Sequence, residues 1–275
     1  MGSGIKTYAV VTGASSGIGC EFARCLASRE WPLIISARRS DRLHELKQEI
    51  ESKTPAVEVS VIQADLQSRA GIDDLLSGIN GILNNSDESS GSNASDRIGV
   101  FINCAGFGLC GSFDSSDIER ETTMIDVNVT AVHVLTKQVL KIMERQNSGY
   151  ILNVASSAGL FPAGPFMATY YASKAYVASL TQAIAEELRE KGSGVHISCL
   201  CPGPVDTEFN DVANVKFALR GMTAKDCAKA ALKGLFGGKV VIVPTFRMKA
   251  AVFFVRLLPR GLMTRIVAAQ QKKKF

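Results

Sequence analysis

The stretch that decides the fold is "VVTGASSGIGCEFA" at residues 10–23, which joins an apolar run to a segment with helical spacing. Its glycines, Gly13, Gly17 and Gly19, have the spacing G-x-x-x-G-x-G. A strand that turns on glycine into a helix lets backbone N–H groups approach a pyrophosphate, and the helix N-terminus adds positive potential. A glycine-rich turn alone is a weak signal, but this context strengthens it. The stretch predicts a dinucleotide site.

Short apolar runs alternate along the chain with longer segments of helical spacing. We interpret as strands the residues 7–12, 32–37, 57–63, 98–103, 149–156, 194–201 and 239–244. Segments such as 41–53 and 178–191 have the pattern of helices. Strands buried on both faces and joined by helices favour a parallel sheet. We predict one α/β domain over residues 1–275, a Rossmann-like doubly wound parallel sheet of about seven strands with helices on both faces.

Two segments depart from this alternation. Residues 84–97, "NNSDESSGSNASDR", predict an exposed, flexible insert loop before the fourth strand. Residues 247–275 contain eight Lys/Arg and no Asp/Glu, so the preceding residues carry a formal charge of −3 within a chain of +5. This basic, apolar C-terminal extension indicates contact with an anion, an acidic partner or a membrane surface, or else a solvated terminal helix.

The composition excludes several classes of protein. The chain is 46% hydrophobic and 21% charged, as in globular proteins, and its excess positive charge at one end argues against a nucleic-acid binder. No apolar run is long enough for a transmembrane segment, and the N-terminus lacks a secretory signal. Seven scattered cysteines indicate buried free thiols in a reducing compartment, so we predict a cytoplasmic protein. Without a CxxC pair or clustered histidines, we predict no metal site.

The end of the second predicted strand discriminates between cofactors. A site for NAD usually places a carboxylate about twenty residues beyond the glycine-rich turn, where it binds the ribose 2′-OH. Here Ala37 is followed by Arg38 and Arg39. Arginine can bind a 2′-phosphate through two parallel hydrogen bonds, although surface arginines at a helix start are the structural alternative. We predict NADP(H).

The stretch "ATYYASK" at residues 168–174 places two tyrosines just before a lysine. An exposed tyrosine is a poor acid because its pKa is about 10, and a cation one helical turn away lowers that pKa. Tyr170 and Lys174 are four residues apart, so they lie on one helical face. Tyr171, three residues before Lys174, can also approach it. Spacing alone leaves both tyrosines open.

These stretches belong to an ordered set of seven motifs: "TGASSGIG" (12–19), "ADL" (64–66), "NCAG" (103–106), "VNV" (127–129), "VASSAG" (154–159), "YYASK" (170–174) and "CPGPVDT" (201–207). On this set the chain resembles the short-chain dehydrogenase/reductase family over nearly its whole length. The resemblance implies a Tyr-x-x-x-Lys pair, which selects Tyr170 with Lys174. Tyr170 would exchange a proton with the substrate oxygen. Lys174 would lower the pKa of that phenol and bind the nicotinamide ribose, and Tyr171 would pack or line the substrate site.

The resemblance implies two further catalytic residues. Ser156 would donate a hydrogen bond to the substrate oxygen, and Asn128 would hold a water that links Lys174 to solvent. Ser157 is the alternative to Ser156, because Ser156 lies fourteen residues before Tyr170 and Ser157 thirteen. Aligning "SSAG" on its glycine selects Ser156, and substitution of each serine would decide the assignment.

The resemblance also implies which residues bind the cofactor. Asp65 would contact the adenine, and the residues after Pro202 would receive the nicotinamide end. The full set is Gly13, Ser15, Ser16, Gly17, Ile18, Gly19, Arg38, Arg39, Asp65, Leu66, Asn103, Ala105, Gly106, Tyr170, Lys174, Pro202, Gly203, Val205 and Thr207.

Substrate recognition in this family comes from the stretches after Ser156 and Pro202 and from the C-terminus. The candidate substrate residues are Ser156, Leu160, Phe161, Phe166, Met167 and Phe209. Such an apolar pocket suits a ketone, 3-oxoacyl or steroid-like substrate, including an acyl thioester on an acidic carrier, although several of these residues could equally be core. The resemblance predicts a homodimer or homotetramer built on the helices after residues 117 and 170.

We therefore predict an NADP(H)-dependent carbonyl reductase or alcohol dehydrogenase that transfers a hydride between the nicotinamide and a carbonyl or secondary alcohol of a lipophilic substrate. Two alternatives stay open. One is a non-catalytic NADP(H)-binding sensor or scaffold, against which the set Asn128, Ser156, Tyr170 and Lys174 argues. The other is a peripheral membrane protein that binds through residues 247–275.

Overall fold

The computed structural model describes residues 5–84, 96–209, 213, 221–255 and 257–272. Apart from its ends, the predicted insert loop at 84–97 lies outside these residues. Strands and helices alternate in the order β1 (Thr7–Thr12), α1 (Gly17–Ala27), β2 (Leu33–Ala37), α2 (Ser40–Lys53), β3 (Val59–Gln63), α3 (Arg69–Asn84), β4 (Arg97–Asn103), α4 (Ile118–Ile125), a π-helical turn (Asp126–Ala131), α5 (Val132–Gln146), β5 (Gly149–Val154), a 3₁₀ turn (Ser157–Leu160), α6 (Ala168–Glu190), β6 (Val195–Leu200), β7 (Val205–Asp206), β8 (Met222–Thr223), α7 (Ala224–Phe236), β9 (Val241–Ile242), α8 (Phe246–Val255) and α9 (Arg260–Gln271).

Seven strands form one parallel sheet in the order β3-β2-β1-β4-β5-β6-β9, which confirms the predicted fold class. The chain builds the sheet outward from β1 to β3 and then returns to place β4 on the other side of β1. Val10 of β1 is therefore paired with Ile34 on one side and with Phe101 on the other. Sheets of this kind bind ligands beyond the carboxyl ends of the strands at such a reversal.

The strands are apolar on both faces because each face of the sheet packs against helices. Successive side chains of β1 alternate between the two faces: Ala9 and Val11 pack in one core with Phe22 of α1, while Tyr8 and Val10 pack in the other with Leu135 of α5. This burial on both sides explains why the strands read as continuous apolar runs rather than as alternating ones.

Thr12 joins the carboxyl ends of the two strands at the reversal. Its hydroxyl donates to the Ile102 carbonyl at 3.4 Å and accepts from the N–H groups of Cys104 and Ala105, at 3.1 and 3.3 Å. These bonds hold the loop after β4 against the glycine-rich turn after β1. One hydroxyl thus fixes the distance between the two loops that frame the site.

None of the seven cysteines, all of which lie within the described residues, forms a disulfide bond, and four of them, Cys25, Cys199, Cys201 and Cys227, are buried. No helix among the described residues has both the length and the apolar character needed to cross a bilayer. Within the same part of the chain, no cluster of three or more His, Cys, Asp or Glu side chains is arranged to hold a metal ion.

Candidate active site

A cavity of about 740 Å³ lies at the carboxyl ends of the central strands. Its wall is built mainly from the loops that follow β1, β2, β3, β4, β5 and β6 and from the start of α6, with further residues from α4 and α9. Eighteen of the nineteen predicted cofactor residues line it, Asn103 being the exception. The fold therefore brings together groups that are up to about two hundred positions apart in the sequence.

The glycine-rich turn has the shape that a dinucleotide needs. Gly13 has a φ of +67°, and a Cβ built there would lie 2.8 Å from the backbone of Ala105. A Cβ at Gly19 would lie 2.2 Å from the Gly13 carbonyl oxygen. Only glycine fits these positions, and the tight turn directs the first-turn N–H groups of α1 toward the cavity. The residues present thus fit a bound pyrophosphate.

Asn103 does not line the cavity, and its predicted contact with the cofactor stays a prediction. It is buried within the sheet, where its Nδ2 donates to Asn153 Oδ1 at 2.8 Å and to Thr136 Oγ1 at 3.1 Å. Asn153 in turn donates to Thr181 Oγ1 of α6 at 3.0 Å. Asn103 belongs to a polar network that joins β4, β5, α5 and α6 beneath the site, because a buried amide must find hydrogen-bond partners.

Both predicted arginines of the cofactor site are exposed and line the cavity. Arg39 Nε donates to Ser15 Oγ at 3.2 Å, and its Nη1 forms an ion pair with Glu208 Oε2 at 3.0 Å. Arg42 forms a second ion pair with Glu208. The two guanidinium groups lower the pKa of Glu208, Arg42 being the larger cause. Glu208 also lines the cavity, although we did not predict it.

Helix α6 presents Tyr170 and Lys174 on one buried face. The face consists of Tyr170, Ser173, Lys174, Val177, Ala178 and Thr181, which follow the spacing expected of one side of a helix. Lys174 is 4% exposed; its Nζ donates to the Val154 carbonyl at 2.9 Å and lies 6.0 Å from the centroid of the Tyr170 ring. The Ser156 hydroxyl lies close enough to the Tyr170 phenol to lower its pKa. These three residues meet in the cavity wall.

The prediction that Lys174 makes Tyr170 more acidic is wrong for this structure. Burial raises the pKa of Tyr170 to about 12, and the hydrogen bond with Ser156 offsets only part of that rise. Burial also lowers the pKa of Lys174 to about 8. The ammonium group is directed at the Val154 carbonyl rather than at the phenol oxygen, so desolvation outweighs the attraction between charges. Tyr170 is consequently fully protonated near pH 7.

Asn128 lies behind the cavity wall, on the π-helical turn between α4 and α5. Its Nδ2 donates to the Phe107 carbonyl at 2.9 Å and to Ser173 Oγ at 3.2 Å, while its Oδ1 accepts from the Phe107 N–H at 3.1 Å. A Cβ at Gly106 would lie 2.8 Å from this Oδ1 and 3.3 Å from Lys174 Nζ. Asn128 therefore clamps the loop after β4 to α6, next to the lysine. The predicted role in holding a water stays a prediction.

Tyr171 also lines the cavity, but its hydroxyl has a different partner. Gln271, in the last turn of α9, donates to Tyr171 Oη at 2.6 Å although it is 100 residues away in the sequence. Burial raises the pKa of Tyr171, and the bond from Gln271 offsets part of that rise. Gln271 is a cavity residue that sequence reasoning missed, because nothing local marks a C-terminal glutamine as a neighbour of the reacting pair.

The predicted substrate residues divide into two groups. Ser156, Met167 and Phe209 line the cavity, with the Phe209 ring 5.6 Å from that of Tyr170. Leu160, Phe161 and Phe166 do not line it, and their predicted contact with the substrate stays a prediction. Leu160 packs against the core cluster that contains Val132 and Ala155. Phe161 follows the 3₁₀ turn, and its N–H donates to the Ala158 carbonyl. The Phe166 ring faces Lys272 and lines a smaller neighbouring cavity.

Comparison with known proteins identifies the family. The sequence model of the short chain dehydrogenase family matches residues 7–217. An uncharacterized oxidoreductase of Staphylococcus saprophyticus is 33% identical over 228 residues, which are 82% of this chain and 90% of that protein. A 17-beta-hydroxysteroid dehydrogenase type 3 of Mus musculus is 29% identical over 270 residues, 94% and 81% of the two chains. A very-long-chain 3-oxoacyl-CoA reductase of Anas platyrhynchos is 30% identical over 222 residues, 79% and 65%.

Solved structures agree with this result. A short-chain dehydrogenase from Sphingobium yanoikuyae in complex with NADPH has a TM-score of 0.78 at 28% identity and covers 94% of this chain and 95% of its own. One from Burkholderia phymatum in complex with NAD has a TM-score of 0.77 at 25% identity, covering 92% and 94%. The chain therefore belongs to the short-chain dehydrogenase/reductase family of oxidoreductases, which bind a nicotinamide cofactor.

Proposed function

We propose that this protein catalyses NADP(H)-dependent transfer of a hydride between the nicotinamide and a carbonyl or secondary alcohol of a lipophilic substrate. One observation carries the proposal: Tyr170, Ser156 and Lys174 meet in the wall of the same cavity that the glycine-rich turn opens into. When bound, the cofactor supplies the hydride. The chain's own residues must then bind the substrate oxygen, hold it in place and move one proton.

In the direction of reduction, Tyr170 gives its phenolic proton to the substrate oxygen. Its pKa of about 12 keeps it protonated through the neutral range, so the acid form is always present. Ser156 donates a second hydrogen bond to the same oxygen and stabilises the charge that develops there. The ammonium of Lys174, 6.0 Å from the centroid of the Tyr170 ring, offsets part of the negative charge of the phenolate left behind, although burial dominates the pKa of that phenol. Oxidation of the alcohol needs the phenolate of Tyr170 as the base. The rate of oxidation is therefore expected to increase as the pH rises.

The preference for NADP(H) rests on Arg38 and Arg39. Both are exposed at the end of β2, and Arg39 is held beside Ser15 of the glycine-rich turn. A 2′-phosphate placed there would accept charge-assisted hydrogen bonds from Arg39 in competition with the Glu208 carboxylate. Relatives in this family have been solved with NADPH and with NAD, so the choice needs a direct test.

We expect Arg39→Ala to raise the KM for NADPH by about tenfold or more, since a charge-assisted hydrogen bond contributes about 1.5–3 kcal/mol. The KM for NADH should change little, because NADH lacks the 2′-phosphate. Arg42→Ala is the matched control: Arg42 also pairs with Glu208 but does not line the cavity. Equal effects of Arg39→Ala on the two cofactors would mean that this end of the cavity does not bind a 2′-phosphate.

The substrate class follows from the apolar part of the cavity wall. Phe107, Met167 and Phe209 face the reacting pair from the substrate side. The steroid dehydrogenase and the 3-oxoacyl-CoA reductase among the relatives are named for substrates of the same lipophilic kind. A steroid-like ketone or a 3-oxoacyl thioester, free or on an acidic carrier, fits this wall better than a sugar.

The test is the oxidation of NADPH, followed by absorbance, with a panel of ketones of increasing apolar size, 3-oxoacyl thioesters and sugar ketones. We expect kcat/KM to rise with apolar surface and to be lowest for the sugars, because each buried CH₂ group contributes about 0.8 kcal/mol. Equal rates across the panel would contradict the lipophilic substrate class. Binding of NADPH without turnover of any compound would favour the sensor or scaffold alternative.

Two further properties complete the proposal. Helices α4 and α6 leave Ile118, Ile125 and Tyr176 exposed, which supports a homodimer or homotetramer built on these helices. We also propose a cytoplasmic location, where buried thiols such as Cys25, Cys199, Cys201 and Cys227 stay reduced.

A further inference from the structure

The two C-terminal helices carry an unusual amount of exposed apolar surface. Of the thirteen exposed large hydrophobic side chains in the described residues, seven lie between Phe246 and Ile266. Phe246 is 84% exposed, Leu257 66%, Phe253 62% and Phe254 60%. A soluble surface rarely concentrates apolar side chains in this way without a partner. We call this set the C-terminal apolar surface: Phe246, Phe253, Phe254, Leu257, Leu258, Leu262 and Ile266.

The same helices also have an inner face that packs on the protein. Val252 and Val255 of α8 are buried, and Met263, Val267 and Gln271 of α9 are buried with the spacing of one helical face. Met248 contacts the loop after β6, where a Cβ on Gly203 would lie 2.7 Å from its Cε. One side of these helices therefore packs on the protein. The C-terminal apolar surface lies on their solvent-exposed side.

The charged side chains of these two helices all have one sign. Arg247, Lys249, Arg260, Arg265 and Lys272 are exposed, and the sequence from 247 to 275 contains no Asp or Glu. Within the described part of the chain, none of the salt bridges involves these five cations. A second copy of this surface would bring like charges together, which opposes self-association. Anionic lipid headgroups complement such charges, and acyl chains accept the rings between them.

We propose that the C-terminal apolar surface binds the protein to anionic lipid bilayers. The phenylalanine and leucine side chains enter the boundary between headgroups and acyl chains, and the five cations pair with phosphate and carboxylate groups of the lipids. Helix α8 has ten residues and is about 15 Å long, half of the hydrocarbon thickness, so it lies along the surface. Gln271 of α9 lines the cavity, so one of the two lipid-bound helices is also part of its wall.

The test is co-sedimentation of the full-length protein with phosphatidylcholine vesicles that contain or lack phosphatidylserine. We expect binding only to the vesicles with phosphatidylserine, and weaker binding at high salt. The double substitution Phe253→Ser/Phe254→Ser should lower the partition coefficient by about tenfold or more, because it removes two aromatic anchors. Arg260→Gln/Arg265→Gln should lower it by about tenfold. Phe113→Ser, which changes a 68% exposed phenylalanine elsewhere, should bind as the wild type does.

Three results would overturn the proposal: no sedimentation of the wild type with either vesicle, equal sedimentation of the Phe253/Phe254 variant, or an equal loss in Phe113→Ser. A fourth such result comes from sedimentation velocity without vesicles. If the wild type is an oligomer and the Phe253/Phe254 variant is a monomer, the C-terminal apolar surface binds a second copy of the protein rather than a bilayer. Circular dichroism melting of each variant separates loss of binding from loss of fold. The assay contains neither cofactor nor ketone, so its failure is distinct from failure of the proposed reaction.

Discussion

Replacing Tyr170 with phenylalanine is expected to lower kcat for ketone reduction by about a thousandfold, within the range typical of a lost general acid. The ring and its packing against Phe209 stay, and only the hydroxyl beside Ser156 is removed. The affinity for NADPH should change little, because the glycine-rich turn and the arginines are untouched. Steady-state kinetics with a lipophilic ketone, together with calorimetric titration of NADPH, measure both quantities.

Tyr171→Phe is the matched control for this variant. The two tyrosines are adjacent and in contact, with ring centroids 6.3 Å apart; Tyr170 is buried and Tyr171 is partly buried. Tyr171, however, uses its hydroxyl to accept from Gln271, so its loss should change kcat by less than about tenfold, the effect of one neutral hydrogen bond. A large loss of kcat in Tyr171→Phe together with a small one in Tyr170→Phe would identify Tyr171 as the acid. The assignment from the Tyr-x-x-x-Lys pair would then be wrong.

The substitution Lys174→Met is expected to lower kcat/KM for reduction by about a hundredfold at pH 7, since it removes the charge next to the phenolate. The dependence on pH separates this residue from Tyr170. With a folded-state pKa of about 8, Lys174 is mostly an ammonium at pH 7 and loses its charge as the pH rises through 8. Tyr170, with a pKa of about 12, stays protonated over this range. Wild-type reduction should therefore fall above pH 8.

The fall above pH 8 should disappear in Lys174→Met, which has no proton to lose there. Lys174→Arg provides the charge-conserving comparison, because a guanidinium stays protonated at every accessible pH. It should recover part of the activity and move the fall to higher pH. A wild-type profile that is flat to pH 10 would show that the charge on Lys174 is not required.

The sheet and the cofactor turn could be predicted because their signals are local. The glycine spacing from Gly13 to Gly19 and the apolar runs lie within short stretches, and burial on both faces makes those runs continuous. Spacing on one helix placed both Tyr170 and Tyr171 within reach of Lys174, and the family resemblance selected Tyr170. The ordered motifs of the family then supplied Ser156, which the structure puts beside the phenol.

The rest depends on contacts between distant parts of the chain. No local sequence signature marks the hydrogen bond between Gln271 and Tyr171. The same holds for the ion pairs of Glu208 with Arg39 and Arg42. Asn103 is the last residue of a strand and the first of a family motif, but its amide lies within the sheet, where it hydrogen-bonds to buried partners. The direction of the pKa shift of Tyr170 also needed the structure, because sequence shows which charges are near but not how dry the site is.

The most direct test of the account follows the transferred hydrogen itself. A single turnover is run with a lipophilic ketone and NADPH in which both C4 hydrogens of the nicotinamide are deuterium, and the product is analysed by mass spectrometry and NMR. The account predicts one deuterium on the carbinol carbon with the wild-type protein, at a rate about a thousandfold lower in Tyr170→Phe. Alcohol without deuterium at that carbon, or labelled alcohol formed equally fast by the two proteins, would contradict it.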